Sequence, residues 1–304
     1  MRTERRPFPG EWLMVGAALL WGSAYPATRY LVAEMPILAA TSWRGLAALV
    51  PLLVVVLLRR DLVASLPRSA QWSRLAVLAL LAGPAFVIGQ NAAVQLTGPS
   101  VTSFVAGSYP ILAVLLSPLL LPERLNGRVT VALVAAVAGT LLLARPGGAN
   151  VDAIGVMAAM GASLAFALYL VLARRWSTGA AIRPMQVALT NMTTLTIVGG
   201  VLQLLVAPAG LVPELSAAGW AGLLWVAVPC GAGAHLLAMG AVARLPAGRS
   251  SPFLLLAPVT GALVSAILVG ERLDIVQLVG GALIVGAIAL ATVTVRSRPR
   301  SMPA

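Results

Sequence analysis

The chain has 304 residues, 60% of them hydrophobic and only 10% charged, with a formal net charge of +12 and a mean hydropathy of +0.95. A soluble domain is usually about 45–50% apolar and about 25% charged, so the composition excludes a water-soluble globular fold and makes lipid the solvent. All 21 basic residues are arginine, and their placement beside apolar runs argues against a nucleic-acid partner.

A membrane helix needs roughly 20 apolar residues, and runs of that length fill nearly the whole sequence. In chain order the expected helices are 11–32, 37–58, 74–96, 100–121, 128–145, 152–173, 185–206, 217–241, 250–270 and 274–295. Barrel strands would instead alternate over about 10 residues. The expected fold class is therefore an all-α polytopic membrane protein with ten transmembrane helices. The basic head "MRTERRPFPG" resembles that of a signal peptide. Its apolar run continues to Val32 and another follows at once, so a retained first helix is expected.

With the N-terminus cytoplasmic and ten alternating helices, 17 arginines fall on the cytoplasmic side. Only Arg145 and Arg272 fall outside, and Arg29 and Arg44 lie within or near helices. That is a strong positive-inside bias and puts both termini in the cytoplasm.

Few polar groups interrupt the helices, and such groups usually face an interior or a water-filled path. Gln90 and Asn91 in the third helix are adjacent, so they point about 100° apart. One can bind substrate while the other bridges helices. Asn191 lies in the seventh helix. His235 in the eighth can contact a carboxylate, relay a proton, or satisfy a neighbouring carbonyl. Trp21, Tyr25, Tyr109 and Tyr169 are aromatics well inside helices. Trp21 and Tyr25 are four apart on one face, and such rings suit an amphipathic ligand or its amine. Ordinary packing is the plain alternative for each. Trp12, Trp72, Trp176 and Trp220 sit near helix ends and read as interface anchors. Pro26, Pro84, Pro110, Pro229 and Pro258 interrupt helices and supply kinks. "GGALIVGA" (280–287) reads as a helix-pairing surface.

The lone Cys230 can form no intrachain disulfide and reads as a packing residue. One histidine cannot build a metal cluster, so neither a metal nor another cofactor is expected. "GAS" (161–163) and "GRSS" (248–251) have no adjacent base and acid to make a nucleophile, so enzyme chemistry is not expected. No Asp or Glu lies in the middle of any expected helix. That disfavours carboxylate-driven proton coupling and leaves facilitated export, with proton exchange through His235 as the alternative.

The chain also repeats itself. At an offset of 148, Pro110 matches Pro258, Ser117 matches Ser265, and Glu123-Arg124-Leu125 matches Glu271-Arg272-Leu273. Earlier the offset is 145, pairing Trp21 with Phe166, Pro84 with Pro229 and Gln90 with His235. Two halves follow, 1–148 and 149–304, each of five helices. An odd number inverts the second half, giving inverted repeats of the kind used for alternating access. The two Glu-Arg corners then lie on opposite faces, where each glutamate is expected to pair with its neighbouring arginine.

"YPILAVLLSPLLLPERLNGRVTVALVAAVAG" and "LAPVTGALVSAILVGERLDIVQLVGGALIVGA" resemble the paired repeats of the EamA type in the drug/metabolite transporter superfamily. "ALLWGSAYPATRYLV" is similar to that family's first helix, and "SWRGLAALVPLL" to its second. The resemblance covers almost the whole chain. It implies a central cavity and export of small metabolites, often amino acids, across a bacterial cytoplasmic (inner) membrane. Small-molecule substrate and lipid are the implied partners of a monomer. The nearest branch exports aromatic or apolar amino acids, and the alternative is proton-coupled efflux of another drug or metabolite. Arg44, about seven residues into the second helix, can snorkel outward or meet a substrate carboxylate; an arginine at that position belongs to the resemblance, which favours a structural pairing for it. Two departures bear on substrate choice: "CGAGAHLLAMGA" lacks the aromatics frequent in the eighth helix, and Phe166 stands where the first half has Trp21. The expected binding residues are thus Trp21, Tyr25, Gln90, Asn91, Tyr109, Tyr169 and His235. Arg44, Pro110, Glu123, Arg124, Pro258, Glu271 and Arg272 are expected to be structural or gating residues.

Overall fold

The computed structural model describes residues 10–59, 69–121, 127–143, 151–177, 184–242, 244, 253–254 and 256–293. These residues are helical almost throughout, and none of them forms a strand. The helices are α1 (Gly10–Glu34), α2 (Ile37–Leu58), α3 (Ser69–Leu80), α4 (Phe86–Thr97), α5 (Pro99–Ala106), α6 (Tyr109–Leu120) and α7 (Gly127–Leu143). They continue as α8 (Ala153–Ser177), α9 (Pro184–Val206), α10 (Ala217–Ala227), α11 (Ala234–Val242), α12 (Leu256–Leu268) and α13 (Ile275–Val293). Six stretches among the described residues are long and apolar enough to cross a membrane, and Leu256–Leu268 and Ile275–Leu290 are shorter apolar helices. The helix expected over 250–270 is therefore described only as the shorter α12.

Proline explains where helices change character. Between α3 and α4 the chain widens into a π-helical turn, Leu81–Ala85, that contains Pro84, with Gly83 at φ −92 and ψ −110. Between α10 and α11 a second π-helical turn, Val228–Gly233, contains Pro229. Proline has no N–H to donate and crowds the carbonyl four residues back, and an extra residue in the turn relieves that clash. These are the two prolines paired at the offset of 145. The helix expected over 100–121 is interrupted at Gly107–Ser108, just before Pro110 in the first turn of α6. Pro258 sits near the start of the described α12, as its third residue. A helix start tolerates proline because its N–H would be unpaired there anyway. α1 runs through Pro26 without interruption.

The packing has the same order in both halves. α2 lies on α9 and α7 on α13; α1 packs on α10, α11 and α12, while α8 packs on α4, α5 and α6. Exchanging α1 with α8, α3–α4 with α10–α11, and α5–α6 with α12 leaves this pattern unchanged, as a two-repeat architecture requires. Matched side chains repeat too: Ser117 and Ser265 each donate to the carbonyl four residues back, at 2.9 and 2.6 Å. Small residues set the closest approaches. A Cβ at Gly139 of α7 would stand 2.6 Å from the carbonyl oxygen of Gly280 in α13, so the 280–287 stretch is a helix-pairing surface. Leu58, Leu119, Ile267 and Ile275 point outward and are exposed, the surface a bilayer covers.

Candidate functional site

At the centre of the bundle the helices leave a cavity of about 80 Å³. Its walls are built from both halves. α1 contributes Trp21 and Tyr25 on one face, α2 Arg44, α4 Phe86 and Gln90, α6 Tyr109, α8 Phe166, α9 Asn191 and α11 His235. The two π-helical turns stand directly before α4 and α11 and set the angle at which Gln90 and His235 enter the cavity.

One wall is aromatic. Phe166 is its hub, with ring centroids 4.7 Å from Tyr109, 4.9 Å from Phe86 and 5.2 Å from Tyr169. Trp21 meets His235 edge to face at 5.7 Å. Nδ1 of His235 lies 2.5 Å from the Gly231 carbonyl oxygen. Only a protonated Nδ1 can donate to a carbonyl, which leaves Nε2 of the neutral ring as an acceptor.

Arg44 dominates the polar side. It is buried, at 8% exposure, and its Nη1 donates to Gln90 Oε1 at 3.3 Å. Among the described residues no carboxylate pairs with it. The bond to Gln90 joins α2 to α4, and the guanidinium also lines the cavity.

Five expected binding residues, Trp21, Tyr25, Gln90, Tyr109 and His235, are brought together here. Two are not. Asn91 turns away, because neighbours on a helix point about 100° apart; its Nδ2 donates to Thr41 Oγ1 of α2 at 3.1 Å, within the bundle. Tyr169 stands behind Phe166 and supports that ring without lining the cavity. Glu271 was expected to pair with Arg272. Its Oε2 instead accepts from the backbone N–H of Ser100 at 2.9 Å, because the corner of one half abuts a helix start of the other, and Arg272 is exposed. Glu123 and Arg124 lie outside the described residues. Sequence reasoning passed over Phe86 and did not place Phe166 in the site; Asn191 was weighed among the polar candidates but left out of the expected binding residues, and it lines the cavity. The offset of 145 carried a signal for one of them, since Trp21 with Phe166 and Gln90 with His235 are both repeat pairs and all four residues line the cavity.

Among the described residues no three or more His, Cys, Asp or Glu come together as metal ligands would. The arrangement can bind an amphipathic molecule between aromatic faces and a cation, with amide and imidazole acceptors nearby.

Residues 8–145 and 153–293 each match the EamA-like transporter family. Protein PecM of Dickeya dadantii (strain 3937) is 30% identical over 222 residues, covering 70% of this chain and 68% of PecM. A solved crystal structure superposes with a TM-score of 0.65 at 21% identity, covering 93% of this chain and 98% of the other, which shows the shared fold.

Proposed function

Because this chain belongs to the EamA-like transporter family, we propose that it exports small amphipathic metabolites, foremost aromatic or apolar amino acids, by alternating access. The observation that carries this reading is Arg44, a buried guanidinium on the cavity with no acidic partner among the described residues. An unpaired cation within a membrane is costly and marks a substrate path. A substrate carboxylate would supply the missing charge. The aromatic wall around Phe166 suits an apolar or aromatic side chain, and the acceptors on Gln90 and His235 suit an ammonium group.

The transport cycle we infer uses ten crossings, both termini cytoplasmic, in a bacterial inner membrane. Residues 1–148 and 149–304 act as inverted halves that rock about the central cavity, which matched packing and matched π-helical turns support. Export runs down the substrate gradient in this reading. The position of His235 on the cavity favours one alternative, proton-coupled efflux of a different metabolite.

Thermal unfolding of the purified protein in detergent tests the substrate class, since a ligand that binds the folded state raises Tm with concentration. Tryptophan and phenylalanine should raise Tm, while tryptamine, which lacks the carboxylate, should not. An equal shift with tryptamine would remove Arg44 from the reading.

A further inference from the structure

Two acidic side chains at one end of the bundle cross between the halves, and neither belongs to the cavity. Glu34, at the end of α1, accepts from both the hydroxyl and the backbone N–H of Ser216, each at 2.7 Å, where Ser216 caps the start of α10. Glu271, between α12 and α13, accepts from the Ser100 backbone N–H at the start of α5. Its Oε1 fills the space where a Cβ at Gly98 would stand, and Gly98 has a φ of +84. The two bonds share one end of the molecule. Tyr30 of α1 donates to the Leu268 carbonyl of α12 at 2.6 Å, and Gln95 of α4 donates to the Val32 carbonyl of α1 at 3.0 Å.

This end also holds a vestibule of about 550 Å³ whose lining includes Arg29, Thr97, Val101, Glu271 and Gln277. It shares no lining residue with the central cavity. Between them lies α5, every residue of which is buried. Ser103 of α5 bonds the Pro258 carbonyl of α12 at 3.1 Å, and a Cβ at Gly261 of α12 would stand 2.5 Å from Ser103 Cβ. Joining vestibule to cavity therefore means parting α5 of the first half from α12 of the second. The Glu271–Ser100 bond sits at the tip of that seam, and the Glu34–Ser216 bond at the tip of the seam between α1 and α10.

We propose that Glu34 and Glu271 are gating residues, a pair of carboxylate latches whose bonds across the halves hold the cavity shut on this side, the outer face in the topology above. The inference rests on the alternating-access reading. Each latch combines a charge-assisted bond with the favourable placement of an anion at a helix start. Releasing both shifts the population toward a cavity open to the outside.

The test is sided cysteine labelling. Cavity residue Ala257 is replaced by cysteine in a Cys230→Ala background, in vesicles of defined orientation, with an impermeant methanethiosulfonate reagent as the probe. Adding Glu34→Ala and Glu271→Ala should speed labelling from the outer face at least tenfold and slow it from the inner face. Glu34→Gln with Glu271→Gln, which keeps one acceptor per latch and the side-chain shape, should give a smaller change in the same direction. Unchanged outer labelling in either folded double variant would overturn the proposal, as would equal acceleration from both faces. Labelling reads access and not flux, so failed latches would leave the export reading standing, and absent amino-acid flux would leave the labelling result interpretable.

Discussion

Replacing Arg44 with methionine removes the charge while keeping much of the side-chain length. The structure allows the magnitude to be worked out. The guanidinium makes one long bond, 3.3 Å to Gln90, and has no acidic partner among the described residues, so its removal leaves no buried anion unpaired. A buried charge without a counter-charge is itself costly, so exchanging it for an apolar side chain of similar length should not destabilise, and Arg44→Met should fold. A hydrogen bond to a charged group contributes about 1.5–3 kcal/mol, which converts to roughly 10- to 150-fold in affinity. The assay is a cycle of two proteins and two ligands, parent and Arg44→Met against tryptophan and tryptophanamide, with binding read by thermal shift or efflux KM. Tryptophan should weaken by that factor in the variant, and the amide should bind both proteins alike. Equal weakening of acid and amide would refute the reasoning, because the loss would then be a distorted cavity and not a missing counter-charge.

Asn91→Ala should cost about 0.6 kcal/mol of stability, the average for interhelical hydrogen bonds in membranes, and leave efflux KM unchanged. A raised KM would return Asn91 to the binding residues. Gly139→Leu should destabilise by about 1–3 kcal/mol through overpacking, since its Cβ would stand 2.6 Å from the Gly280 carbonyl oxygen; unfolding titrated with a denaturing detergent reads this, and an unchanged midpoint would contradict the pairing of α7 with α13. Glu34 lies beyond the apolar run of α1. The Ser216 hydroxyl, and then its backbone N–H, hold this carboxyl below the ordinary value of 4.5. A depressed carboxyl stabilises above its unfolded value and loses that contribution as pH falls through its folded value. Stability from this latch should therefore be level from pH 8 to about 5 and decline in more acid solution, with Glu34→Gln removing the dependence. The same decline in the variant would assign it to another group.

Much of the fold was legible because helix length and the repeat act over many residues at once. Apolar runs located the helices, and the offset of 145 joined Pro84 to Pro229 before either was seen in a π-helical turn. What a single residue faces depends on helix rotation, which composition does not carry. Gln90 and Asn91 were inseparable as a list, although the 100° between them predicted that only one could face the cavity. Tyr169 was indistinguishable from Tyr109 for the same reason. Arg44 required knowing what was absent around it, a question that only packing answers. Glu271 found its partner 171 residues away in sequence, where a reading of neighbours saw only Arg272.

Flux in proteoliposomes loaded with one labelled amino acid at a time, with and without a pH gradient, tests the central claim most directly. The account predicts saturable efflux of tryptophan, phenylalanine or methionine without a gradient. Efflux that requires an inward proton gradient would contradict the facilitative mechanism and make His235 the coupling residue. No flux of any amino acid would contradict the substrate class itself.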